Sequence, residues 1–151
     1  MLKQIINILI IALISINTYS QENETSFLFK EGEDYMKANN YEMAFEKYSK
    51  VIEKDTNNFA SYYNLASIWL YYKNKPDSAL IMYSKALEFK KDTLLTELLN
   101  GRGACNLMMD NGVLAKKDFL KVIEIDSNNF EGYINLGDVE TFFRNFDKSF
   151  Y

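Results

Sequence analysis

Residues 50–59 read KVIEKDTNNF and residues 121–130 read KVIEIDSNNF. Eight of the ten positions are identical across an interval of 71 residues, and the match runs on, with Tyr62, Asn64 and Leu65 answered by Tyr133, Asn135 and Leu136. Each copy is an amphipathic run that ends in Asp-Thr-Asn-Asn or Asp-Ser-Asn-Asn, residues that turn the chain and lead into the next helix. A shorter period underlies the copy. Gly32, Ala66, Gly103 and Gly137 are spaced 34, 37 and 34 apart, and Ala44, Ala79, Ala115 and Ser149 follow at steps of 35, 36 and 34. Four residues after each of the first three alanines stands a ring, Tyr48, Tyr83 or Phe119, and three further on a small or β-branched residue, Val51, Ala86 or Val122.

Each period therefore holds two amphipathic helical stretches and a short polar turn, over residues 26–38 and 41–54 in the first repeat. Asn40, Asn74, Asn111 and Asn145 precede the second stretch of their repeats, where an Asn side chain can cap the free amides of a helix start. Pro76 suits the first turn of such a helix. The repeat of residues 59–95 is 37 residues long. Its surplus falls as one residue around 73–77 and two around 89–92, which predicts a lengthened or distorted exit helix and, at 85–96, a bend.

Composition fits a folded domain, with 48% apolar and 25% charged residues in a chain of 151. The formal charge is −4, and residues 1–20 contribute only Lys3, so the remainder carries 16 basic and 21 acidic side chains, or −5. Without a basic stripe, this charge disfavours nucleic acid as a partner. The absence of histidine removes the commonest general base and metal ligand. The Asp55 and Asp126 junctions begin like calcium loops but place Ala60 or Glu131 where the loop needs glycine, and Ala66 or Gly137 where it needs glutamate. No cofactor, catalytic residue, metal site or small-molecule substrate is expected. Cys105, the single cysteine, has no internal partner.

Lys3, the apolar run 5–16 and Thr18-Tyr19-Ser20 have the order of a secretory signal peptide cut after Ser20. Residues 1–20 are thus expected to direct export to the periplasm, cell envelope or medium, with an uncleaved membrane anchor as the secondary reading, and residues 21–151 to form the repeat domain.

In this register the chain resembles the tetratricopeptide repeat (TPR) family over residues 25–58, 59–95, 96–129 and, in part, 130–151. Large residues at the fourth position of each repeat are Leu28, Tyr62, Leu99 and Tyr133, while the two small series and the rings occupy the places where the family keeps them. The resemblance implies an all-α, right-handed superhelical solenoid of stacked antiparallel helix pairs, about three and a half repeats long. Position seven departs from the pattern, with Glu31 and Arg102 where the other repeats have Leu65 and Leu136.

The family's binding face is lined by the first helix of each repeat, so the resemblance implies a non-catalytic scaffold for a protein or peptide. Its lining maps onto Phe29, Glu33 and Met36 in the first repeat and Tyr63, Asn64, Ser67 and Tyr71 in the second. Asn100 and Met108 follow in the third, and Ile134, Asn135 and Phe142 in the fourth. Members that hold a C-terminal carboxylate use Lys, Asn and Arg at places where this chain has Phe29, Glu33, Glu97 and Gly101, so that clamp is not expected. After Ser149 no capping helix follows, and Phe143, Phe146, Phe150 and Tyr151 are expected to leave an aromatic edge open to self-association. The alternative expectation is that the repeats form the sensory or docking front of a longer signalling protein or enzyme.

Overall fold

The computed structural model describes residues 2–89 and 94–148, the last three as backbone only. Seven α-helices account for most of them: α1 (Leu2–Lys37), α2 (Tyr41–Lys54), α3 (Phe59–Ser67), α4 (Pro76–Glu88), α5 (Leu95–Met108), α6 (Gly112–Ile125) and α7 (Phe130–Lys148). Among the described residues there is no strand. The chain divides into two compact units, Met1–Thr56 and Asn57–Tyr151.

In the first unit, α1 and α2 form a hairpin. Tyr48 of α2 lies over the backbone of α1 at Gly32, so closely that a Cβ there would stand 2.7 Å from the ring. Leu28, Ala44 and Val51 complete the buried seam. Glu31 and Lys47 face each other beside it, the ammonium donating to Oε2 at 2.9 Å. The helix expected to begin near residue 26 instead runs back without a break to Leu2. Nothing interrupts it: the polar stretch contains no proline or glycine, and Gln21 Nε2 and Glu24 tie it to Lys54 at the end of α2. The apolar side chains of residues 2–16 are all exposed. By length and composition alone, α1 can cross a membrane.

In the second unit α3 pairs with α4 and α5 with α6, and α7 packs on α5 and α6. One buried cluster joins Ala66, Leu70, Ala79, Tyr83, Ala86, Leu98 and Cys105, and another joins Ala115, Phe119 and Val139. Phe119 covers Gly103 as Tyr48 covers Gly32, with 2.5 Å between the ring and a Cβ built there. Gly137 has no such ring, and a Cβ there meets nothing within 4 Å. Burial pushes the Cys105 thiol up to about 12, so it behaves as a core side chain rather than a nucleophile.

The two KVIE junctions fold alike. Asp55 and Asp126 end α2 and α6 in extended backbone, each donating its amide to the carbonyl of Val51 or Val122. Asn58 and Asn129 then cap the next helix, accepting from the amides of Ser61 and Gly132. Between the helices of a hairpin, a left-handed residue (Asn39, Asn74 or Asp110) reverses the chain. The following amide returns to the carbonyl of Tyr35, Trp69 or Asn106, the eleventh residue of each repeat.

Several expectations are corrected. Asn40 does cap α2, accepting from the Met43 amide, and Pro76 does open α4. Asn111 precedes α6 without a side-chain capping bond, and Asn74 is the left-handed turn residue, with Lys75 before the helix. Asn145 lies inside α7, which continues to Lys148 instead of turning. The extra residue expected in the 73–77 turn is absorbed earlier, as a π-helical turn over Ile68–Tyr72 at the end of α3. The returning amide of the second repeat consequently spans from Lys75 to Trp69, one residue more than in the other two hairpins. Exit helix α4 is not lengthened, since it ends at Glu88. The two further residues and the bend expected at 85–96 fall largely on residues 90–93, outside those described, as do Phe150, Tyr151 and the side chain of Phe146.

The unusual seventh positions also find a cause. Arg102 Nε donates to Asp118 Oδ2 at 2.9 Å and Nη2 to Oδ1 at 2.6 Å, a two-pronged pair with Asp118 buried. Its place in the hairpin is that of Glu31 and Lys47, with the charges exchanged, and the second repeat has Leu65 and Met82 there.

Two tests follow from this packing. Gly103→Ala should lower the stability of the second unit by about 1–3 kcal/mol because its methyl meets the Phe119 ring. Gly137→Ala should raise it by about 0.5–1 kcal/mol through helix propensity alone. Urea unfolding followed by circular dichroism reads both, and equal shifts would contradict the ring seat. Arg102→Leu should cost about 3 kcal/mol by leaving Asp118 buried without its partner. The double change Arg102→Leu, Asp118→Met, which copies the second repeat, should recover most of that loss in the same assay.

Candidate functional site

The rings of Tyr48 and Phe119 lie against the first helices at Gly32 and Gly103 and that of Tyr83 at Gly101, and the residues with binding chemistry stand on the first helices beside and beyond them. In the second unit these first helices are α3 with its π-helical turn, α5 and α7, which touch in sequence order. Tyr63 is half-buried and meets Tyr83 edge-on, ring centroids 6.1 Å apart. Ser67 Oγ lies 3.1 Å from the Tyr63 carbonyl, to which it donates, and 3.3 Å from the Tyr83 hydroxyl. Tyr71, in the π-helical turn, is 71% exposed. Its hydroxyl nevertheless titrates above the ordinary phenol range, through partial desolvation first and then the carboxylate of Glu131. Burial likewise raises Tyr63, with Glu97 and Glu131 pushing the same way. Tyr63, Tyr71, Glu97 and Glu131 thus share one electrostatic neighbourhood.

Asn135 Nδ2 donates to Asn100 Oδ1 at 3.4 Å and so links α7 to α5. Asn100 is buried, and this amide pair is part of the floor of the face rather than a free contact. Asn64, half-buried at the same repeat position as Asn135, has no hydrogen-bond partner for its side-chain amide among the described residues. Ile134 and Met108 are exposed. Phe142 is drawn elsewhere: its ring sits against Gly112 at the start of α6, 2.6 Å from a Cβ built there, and edge-on to Phe143. In the first unit, Phe29 packs on Tyr48 at 5.4 Å, Met36 is half-buried and Glu33 is exposed. The structure therefore brings together Tyr63, Ser67, Tyr71, Asn100 and Asn135, and places Phe142 in packing.

Glu97, Glu131 and Asp138 were missing from the sequence-derived lining. The signal was available, because Glu131, Ile134 and Asp138 stand three and seven residues apart and share one helical stripe. Their carboxylates are exposed, and none is ion-paired among the described residues. Among those residues no group of three His, Cys, Asp or Glu side chains is arranged to hold a metal. A cleft of about 660 Å³ lies along α6, lined by apolar Val113, Leu120 and Phe143 together with Lys116, Lys117 and Lys121 and the carboxylates of Asp118 and Glu124.

No protein-family model and no curated protein matches the sequence. Solved structures do. The first TPR domain of Spaghetti (RPAP3), bound to the HSP90 peptide SRMEEVD, is 26% identical. Its TM-score is 0.72, over 79% of this chain and 92% of that one. The first TPR domain of human RPAP3 is 25% identical with a TM-score of 0.72, over 83% and 97%. A tetratricopeptide repeat protein from Parabacteroides merdae is 22% identical with a TM-score of 0.71, over 83% of this chain and 48% of that one. With the small-residue and ring series falling where these helix pairs need them, the chain has the tetratricopeptide-repeat fold.

Proposed function

We propose that the chain is an exported, non-catalytic scaffold that holds an extended protein or peptide segment on the first-helix face of Asn57–Tyr151. The observation that carries this reading is the pair Tyr63 and Tyr71 beside the unpartnered amide of Asn64. Ring faces supply contact area at low entropic cost, and a free amide pairs with a peptide main chain. The peptide seated on the TPR domain of Spaghetti (RPAP3) supports the same mode of use. Export rests on the apolar N-terminal stretch, whose exposed side chains contribute nothing to the hairpin packing of α1 on α2.

Affinity purification from envelope fractions tests the face. Tyr63→Ala, Tyr71→Ala together should reduce partner recovery at least about tenfold, as loss of two aromatic anchors does at an interface, while helicity is unchanged. Unchanged recovery would contradict the assignment. Intact mass of the exported protein should correspond to a chain beginning at Gln21, and a mass that includes residues 1–20 would contradict cleavage.

A further inference from the structure

The charge on the first-helix face is one-sided. Through its π-helical turn, α3 carries no charged residue, and α5 and α7 carry Glu97, Glu131 and Asp138. The one cation within α5, Arg102, is turned into the hairpin toward Asp118, and the exposed Arg144 of α7 acts on Glu140. Four other carboxylates of this unit are ion-paired inside it: Glu88 with Lys85, Asp118 with Arg102, Glu124 with Lys121 and Glu140 with Lys116. The three on the face are in no ion pair among the described residues, and Glu97 accepts only from the Thr96 hydroxyl, at 2.9 Å. The charges of Glu97 and Glu131 act on Tyr63 and that of Glu131 on Tyr71, and an exposed ring such as that of Tyr71 near an acid is the arrangement that receives an ammonium or guanidinium group. Of the lysines of this unit, Lys116, Lys117 and Lys121 lie on α6, Lys85 pairs with Glu88 on α4, Lys75 precedes α4, and Lys73 lies over the rings of Trp69 and Tyr72.

We infer that the peptide-binding face of Asn57–Tyr151 selects a basic segment, an extended chain whose Lys or Arg side chains lie between Glu97, Glu131 and Asp138 and against the rings of Tyr63 and Tyr71. The inference rests on the proposed peptide-binding reading and names the chemistry of the partner. Each exposed ion pair contributes little alone, and three carboxylates acting on one segment give a selectivity of about tenfold, weakened by salt.

The test uses the full chain in nonionic detergent and three fluorescent peptides of one length and one apolar skeleton, carrying lysine, glutamine or glutamate at the same places. Fluorescence anisotropy should give the lysine peptide the lowest Kd, by about tenfold over the glutamine peptide, with the glutamate peptide weakest and the difference shrinking as salt rises. In the triple variant Glu97→Gln, Glu131→Gln, Asp138→Asn, which leaves shape and helicity intact, the lysine peptide should bind no better than the glutamine peptide. If the glutamine or glutamate peptide binds as well as the lysine peptide, and Tyr63→Ala, Tyr71→Ala abolishes that binding, basic selectivity is overturned and the binding face stands. A lysine preference that persists in the triple variant also overturns it, since the attraction then arises elsewhere on an acidic protein. Binding of none of the peptides overturns both readings.

Discussion

An aromatic ring laid on the backbone of the facing helix is the interaction on which the rest of this molecule depends. Tyr48 over Gly32 and Phe119 over Gly103 bring two helices together so closely that even a methyl group would intrude. That approach fixes which side of each helix is inside, because side chains on a helix follow its 3.6-residue period. The first helix commits one side to the ring, and candidate binding residues such as Tyr63 and Ser67 border it. Gly137 shows the same rule by default: α7 meets no ring at that glycine and runs on as a single helix to Lys148.

Around this fixed seat the chain varies what it can. Beside the ring, the facing positions hold an acid and a base in the first repeat, a base and an acid in the third, and two apolar residues in the second. All three fill one space between the helices, and a buried pair of charges holds only where its geometry is good, as in the two-pronged Arg102–Asp118 bond. The second repeat absorbs its extra residue as a π-helical turn, which keeps the return of the chain to the Trp69 carbonyl while changing the direction in which Tyr71 and Tyr72 leave the helix. Lys73 then lies over the rings of Trp69 and Tyr72, 5.6 and 5.7 Å from their centroids.

Periodicity made the hairpins, the buried seam and the two KVIE junctions legible, since each is a local pattern repeated with its geometry. Individual turns were harder to read: an Asn before a helix serves equally as a cap at Asn40, a left-handed turn at Asn74 or a mid-helix residue at Asn145, and tertiary packing decides among them. Pairs such as Glu31 with Lys47 stood 16 residues apart in the sequence but looked like departures from a pattern until the facing helix was in place. For the candidate site, register located Tyr63, Ser67, Tyr71, Asn100 and Asn135 on neighbouring helices. It did not reveal that Asn100 and Asn135 are joined to each other, or that Phe142 packs on Gly112.

The fold thus leads to a face that is aromatic and acidic, set against an α6 cleft of apolar side chains and largely ion-paired charges. Which of the two meets the partner is the central question, and site-specific photocrosslinking answers it directly. A photoreactive residue placed at position 71 or position 120 of the full chain should give a crosslinked partner from 71 and none from 120. Adducts from 120 with none from 71 would contradict the account.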